Sequence, residues 1–340
     1  MMAFVLADRR QILWHRLRVN HLAARLPAGS LETAAFAGLQ DSAPRAALTA
    51  LYSRVEATGP GDWEDVSLVQ TWAPRGAVFV VARSDLAVFA LGIMPRDPEL
   101  RRALQQLAAR ARDSVTEVGV KRREADRLDG ISLPGYMRRW PSWRLAHALA
   151  GVQIRWDAAR THLVPGPELE MDEEAARREL ARRFLRSLGP TGPARFTRWA
   201  AVGKADAVAT FDAIADELVS VEWPGGSGFV LPEDADELAR AEPVAAVRFV
   251  AFGGDPVLQP GEDVVAADRS ARRAAMPPWA ATGLVLIDGE PVAAWGRSHG
   301  RITILARAAP ARERRPEIEA EALGMPLPGG APQIVWRELR

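Results

Sequence analysis

Residues 182–233 constrain this chain more than any other stretch: RRFLRSLGPTGPARFTRWAAVGKADAVATFDAIADELVSVEWPGGSGFVLPE. They read as the end of one helix, a short helix, a third helix and a two-stranded hairpin. Asp172 can cap the first of these helices, with Glu173 and Glu174 in its first turn and Arg182, Arg183 and Arg186 near its end, complementing the dipole at both ends. Ala176, Leu180, Phe184 and Leu188 line one face at i+4 spacing, and Gly189-Pro190 stops the run. From Asp206 the apolar positions Ala207, Val208, Phe211, Ile214, Ala215 and Leu218 keep helical period. Val219, Val221 and Trp223 then alternate into a Pro-Gly-Gly-Ser-Gly turn, and Phe229 to Leu231 return as a second strand. Three helices followed by a hairpin make a winged helix, which puts nucleic acid first among partners to test.

The same order recurs twice upstream. Helices are expected over Asp8 to Arg25, Leu31 to Leu39 and about Pro44 to Glu56, followed by alternating strands at Val66 to Trp72 and Ala77 to Val81. A short helix to Gly92 and a Pro95–Pro98 linker close this first unit. Helices near Glu99 to Gly119, Arg122 to Asp129 and Trp140 to Ala150, then strands from Val152 to Leu163, make a second unit. From Val244 the pattern changes to short alternating strands separated by Gly, Pro and Asp turns, which predicts a small β-barrel or curled sheet. The expected fold is α+β: units over 1–95, 96–167 and 168–242, and a barrel-like domain over 243–340.

Composition removes several classes of chemistry. The chain has no cysteine, so disulfides, thiolate metal sites and a cysteine nucleophile are excluded together. Its five histidines are scattered with no H-x-x-x-H or H-x-H pair, and neither a metal nor another cofactor is expected. His15 and His21 read as surface or packing residues. No segment approaches the roughly 20 apolar residues of a membrane span, so a cytoplasmic protein is expected. Net charge is only +1, yet Arg101 to Arg144 holds eleven Lys or Arg against five acids. Within it Arg138, Arg139, Trp140 and Arg144 combine cations with an aromatic ring, which suits a nucleic-acid face or, equally, a solvated edge beside core tryptophans. The third helix of the third unit carries Asp206, Asp212, Asp216 and Glu217; acids repel phosphates, so this helix reads as scaffold.

Four segments carry a resemblance that spans nearly the whole chain: LVQTWAPRGAVFVVARSDLAVFAL at 68–91, LGPTGPARFTRWAAV at 188–202, VRFVAFGGDPVL at 247–258 and GLVLIDGEPVAAWGR at 283–297. In order and spacing they resemble the bacterial AlkZ-like winged-helix DNA glycosylases, which include self-resistance and crosslink-unhooking enzymes. The resemblance implies three tandem winged helices forming a C-shaped cleft, closed off by a C-terminal β-barrel. It implies double-stranded DNA, alkylated or crosslinked, as the partner of a monomer associated with the nucleoid when bound.

The family's catalytic motif is Gln-x-Gln or Gln-x-Asp, which places the water and stabilises the sugar cation. Here the matching residues are Gln40, Asp41 and Ser42. Ser42 stands at the second motif position, where a hydroxyl carries no charge to offset an oxocarbenium ion. Asp41 has the right chemistry one residue early. The same three residues also suit a helix N-cap, with Pro44 in the first turn. Relatives commonly show Arg-Gly-Thr-x-His in the first wing, whereas this chain has Arg75-Gly76-Ala77-Val78-Phe79. Arg75 either reaches a phosphate or solvates a tight turn. Two functions follow for test: a glycosylase acting through Gln40, Asp41 and Ser42, and a noncatalytic DNA-binding protein, sensor or regulator, that kept the fold and lost the motif.

Overall fold

The computed structural model describes residues 4–42, 45–114, 142–156, 161–251, 282–298, 300–306, 309–327 and 330–338. The chain begins with strand β1 (Phe4–Leu6) and helix α1 (Arg9–Val19), whose start is a capping box between Asp8 and Gln11. Next come α2 (Leu31–Ala34), β2 (Leu39–Gln40), α3 (Ala46–Arg54), β3 (Leu68–Trp72), β4 (Val78–Ala82) and α4 (Leu86–Leu91). These strands form a sheet in the order β2-β4-β3. Two helices, α5 (Pro98–Ser114) and α6 (Ser142–Leu149), precede the hairpin of β5 (Gln153–Trp156) and β6 (Thr161–Val164).

A third group holds α7 (Glu173–Leu188), α8 (Pro193–Ala200), α9 (Lys204–Asp212), the hairpin β7 (Val219–Trp223) with β8 (Gly226–Val230), and α10 (Pro232–Ala239). The N-terminal β1 joins its sheet, pairing parallel with β7 to give the order β1-β7-β8. The remaining elements are β9 (Val247–Ala251), β10 (Gly283–Ile287), β11 (Glu290–Ser298), β12 (Arg301–Ala306), α11 (Ala309–Glu313), α12 (Arg315–Leu323) and β13 (Gln333–Glu338). The fold is mixed α+β. Among the described residues no helix is long and apolar enough to cross a membrane.

Helix α7 is the spine. Leu180, Phe184, Leu185 and Leu188 are buried in a core shared with β3, β4, α4, α8 and α9, where Phe184 meets Phe196 and Trp199 at 5.2 Å between ring centroids. The expected cap is present, with Asp172 accepting from the Ala175 amide at 2.8 Å. The arginines of α7 complement its dipole and also fasten it to its neighbours. Arg177 donates to the Met94 carbonyl, Arg182 grips Glu217 through two bonds, Arg183 pairs with Asp85 and reaches the Phe36 carbonyl, and Arg186 pairs with Asp234.

The C-terminus of α7 is closed by α1. Arg16, fully buried, donates to the carbonyls of Leu188 at 2.6 Å and Gly189 at 3.0 Å, answering acceptors the helix leaves without partners. Asn20 donates to the Ser187 carbonyl at 2.8 Å and accepts from the Ser187 hydroxyl. Burial pulls Arg16 down to about 9, still charged at neutral pH. His15 beside it is fully buried and held neutral, near 4, first by burial and then by the cations Arg16, Arg186 and Arg18. It is a packing residue.

Four expectations change. The first helix ends at Val19 rather than Arg25, because His21 takes a left-handed φ of 57° and turns the chain away. The second spans only Leu31–Ala34, and Leu39–Gln40 is a strand beside β4. The third helix of the third unit begins at the cation Lys204 and stops at Asp212, with a 3-10 turn at Ala215–Glu217. Among the described residues no closed barrel is found, and the C-terminal strands pair in the order β13-β12-β11-β10-β9. One face is covered by α12, whose Ile318 and Ala322 pack with Phe249, Trp295, Ile302 and Ile304, and Val250, Leu284, Leu286 and Ala294 on the other face pack with Ile12, Leu13 and Leu17 of α1.

Arg16→Met removes the donors that α7 needs at its C-terminus and leaves buried carbonyls unanswered. A loss of about 3 kcal/mol is expected in urea unfolding; a loss below about 0.5 kcal/mol would show that the carbonyls find other partners.

Candidate active site

The loop from β2 to α3 is placed by a glycine. Gly38 has a φ of +74°, and a Cβ there would lie 2.9 Å from the Phe89 ring and 3.0 Å from Phe79, so the turn into β2 accepts no larger residue without movement. Gln40 then pairs with Phe79 of β4, and the Asp41 amide extends the ladder to the Val78 carbonyl at 2.8 Å. Phe79, at the wing position where relatives commonly have His, is a core residue.

Both ends of the Gln40 side chain are held. Its Oε1 accepts from Arg75 Nη2 at 2.6 Å, and its Nε2 donates to Ser42 Oγ at 2.9 Å. Arg75 also donates through Nη1 to the Trp199 carbonyl in the last turn of α8, at 2.6 Å. Its backbone φ of 66° is an uncommon left-handed conformation for a residue with a Cβ, and it turns the guanidinium inward. Burial lowers Arg75 to about 10, so it stays cationic. Arg75 therefore does more than solvate its turn. It bridges the first wing, Gln40 and α8.

Asp41 is fully buried. Oδ1 accepts from the Ala47 amide of α3 at 3.0 Å, and Oδ2 accepts from Gln70 Nε2 of β3 at 2.9 Å. The carboxylate thus serves the N-terminus of α3 from six residues upstream. The N-cap position itself is Arg45, because the helix starts at Ala46, so neither Asp41 nor Ser42 is the N-cap residue the sequence suggested. Burial raises its pKa to about 6, outweighing the Ala47 amide, Arg45 and Gln70, which all favour the charged form. Arg45, just before α3, has a left-handed φ of 62° and lies over the Trp63 ring at 3.9 Å. Arg297 of β11 feels both Arg45 and Asp41, although burial is the main cause of its lowered pKa.

Of the sequence-nominated residues, Gln40, Asp41, Ser42 and Arg75 come together. Arg144 of α6 braces the same wing by donating to the Gly76 carbonyl at 3.0 Å. Arg138, Arg139 and Trp140 lie outside the described residues. Gln70, Arg45 and Arg297 were not foreseen. Gln70 had a signal, a polar residue amid the apolar strand LVQTW; Arg297 had none, because its place depends on how a distant strand packs. Among the described residues no group of three His, Asp or Glu could hold a metal ion.

The chain belongs to the AlkZ-like DNA glycosylase family, described as DNA glycosylase AlkZ-like, which matches residues 33–325. An interstrand DNA cross-link repair glycosylase from Streptomyces sahachiroi is 25% identical over 265 residues, covering 68% of this chain and 71% of that protein. The solved structure of the Streptomyces sahachiroi DNA glycosylase AlkZ superposes with a TM-score of 0.75 at 22% identity, covering 98% of this chain and all of that one.

The Asp41 shift fixes a sign. A folded pKa near 6, against an ordinary 3.8, contributes stability that is full below pH 3.8 and lost as pH rises through 6. Relative to Asp41→Asn, the wild type should lose up to about 3 kcal/mol between pH 4 and pH 7. A relative gain over that range would contradict the burial argument.

Proposed function

We propose that the protein is a DNA glycosylase that hydrolyses the N-glycosidic bond of an alkylated base in double-stranded DNA, in repair or self-resistance. In that reaction the bond from C1′ to the base nitrogen breaks with its electrons leaving on the base, and water adds to the sugar cation and gives up a proton. Alkylation that makes the base cationic lets it depart neutral. What the site must supply is a fixed water and a favourable field.

The observation that carries the proposal is the hydrogen-bonded chain from Trp199 through Arg75 and Gln40 to Ser42. An amide oxygen has two lone pairs and an amide nitrogen two protons, so Gln40, with one of each engaged, keeps one acceptor and one donor for water. Ser42 accepts from Gln40 and retains its own proton to donate. Asp41, sealed beneath the loop, acts through position and charge rather than by contact. Family membership supports this reading, as does the likeness to the crosslink-repair glycosylase.

We read the helix and hairpin groups over 1–95, 96–167 and 168–242 as winged helices lining a C-shaped cleft, in a cytoplasmic monomer that works on the nucleoid. Element order supports the first and third groups most fully. Arg138, Arg139 and Trp140 are assigned to DNA contact on composition, and Arg144 to bracing the wing. A second reading, a noncatalytic DNA-binding protein, is favoured by one observation: the only carboxylate of the motif is buried on α3.

Release of modified bases from methylated or bulky-alkylated duplex separates the two. Wild type should generate abasic sites, and Gln40→Ala should be slower by about 100-fold or more while still folding and binding. Binding without release in the wild type would leave the noncatalytic reading.

A further inference from the structure

We propose that Gln70, which lies outside the catalytic motif, is a positioning residue for base release: by holding Asp41 Oδ2 it seats the carboxylate beneath the loop, and release then depends on Asp41 being ionised. This inference rests on the DNA-glycosylase reading and deepens it at the same site.

Gln70 is a polar residue in an apolar layer. In the sheet β2-β4-β3 it stands opposite Val80, which in turn stands opposite Leu39. Cross-strand neighbours share a face, and Leu68, two residues before Gln70, shares it too. Leu39, Leu68 and Val80 are buried with Ala47, Ala50 and Leu51 of α3. Gln70 itself is only 6% exposed. An amide in such a layer costs free energy unless it is hydrogen-bonded, and Gln70 Nε2 donates to Asp41 Oδ2 at 2.9 Å. Strand β4 lies between β2 and β3, so this bond reaches across it and ties the loop after β2 to the far strand of the sheet.

The seat suits a carboxylate without a proton. Oδ1 accepts from the Ala47 amide and Oδ2 from Gln70. A proton on Oδ1 would need an acceptor where α3 offers amides, and a proton on Oδ2 would need Gln70 to turn over and present its oxygen. Among the described residues, the charged groups that face Asp41 are cations: Arg45 ahead of α3 and Arg297 of β11. Strands β3 and β4, LVQTW and VFVVA, carry no charge. Burial works the other way and lifts Asp41 to about 6, so the ionised seat is only modestly favoured at neutral pH and each donor counts. Gln40 and Ser42 flank Asp41 and are bonded to each other, so a shift of Asp41 disturbs both ends of that bond.

The test is single-turnover base release by the full chain from alkylated duplex, at saturating protein, across pH. In wild type the rate should fall as pH drops through about 6, and in Asp41→Asn that limb should be absent. Gln70→Met, close in size and without a donor, should move the midpoint up by about 1 unit, with the rate above it returning to within about threefold of wild type. A residue that only packs would lower the rate by one factor at every pH; that result, or an unmoved midpoint, would overturn the proposal. The same midpoint can be read without activity. The folded pKa of Asp41 lies above its ordinary 3.8, so the stability it contributes falls as pH rises from there and levels off at the folded value. In urea unfolding against the matching Asp41→Asn variant, levelling should come near pH 6 in wild type and about 1 unit higher in Gln70→Met. Levelling at the same pH in both would overturn the hold of Gln70 on Asp41. If wild type releases no base at any pH while this shift is present, the glycosylase reading fails and that hold stands.

Discussion

A single guanidinium sets the frame on which the site depends. Arg16 crosses from α1 to the end of α7 and answers the carbonyls of Leu188 and Gly189. This holds in place the end that Gly189-Pro190 gives α7, and with it the start of α8. The last turn of α8 presents the Trp199 carbonyl to Arg75, and Arg75 presents its other nitrogen to Gln40. The amide proposed to hold water is thus located by a chain of hydrogen bonds that begins in the first helix and passes through the third group of helices. Each link is a charged donor on a neutral oxygen, stronger than a neutral pair and costly to leave unmade.

Asp41 shows how stability is exchanged for arrangement. Two hydrogen bonds and a neighbouring arginine favour its ionised form, yet desolvation wins and holds it near 6. At neutral pH the fold therefore carries a buried negative charge at a cost of about 3 kcal/mol. That charge anchors α3, neighbours Arg45 and Arg297, and lies directly beneath the Gln40 to Ser42 loop. An apolar residue there would avoid that cost but would leave the Ala47 amide and Gln70 without an acceptor. Strongly shifted groups beside a polar constellation are what a reactive site requires, and structural networks shift groups too.

How much of this was legible in the sequence varies with range. Helix α7 could be read from Asp172, its i+4 apolar face and Gly189, because caps and periodicity are local. The hairpins β3–β4, β7–β8 and β10–β11 followed from alternation and turn residues; the last turns at Asp288-Gly289, both at positive φ. The parallel strand β1 was invisible, since three residues pair with a strand more than two hundred positions away. The C-terminal alternation predicted strands but could not say that α12 covers one of their faces and α1 packs on the other. For the site, the motif gave Gln40, Asp41 and Ser42, while the inward turn of Arg75 and the approach of Gln70 and Arg297 are products of packing.

Ser42 at the second motif position contributes a hydrogen bond rather than a charge. The hydroxyl accepts from Gln40, and Arg75 polarises the same amide from its other end, so the three act as one unit. A double-mutant cycle on the single-turnover rate of base release, with Arg75→Met, Gln40→Ala and the pair, measures that coupling. If Arg75 works through Gln40, the double variant will be no slower than Gln40→Ala alone. Losses that multiply would show that the two act independently and that Arg75 does not hold Gln40 in its working position.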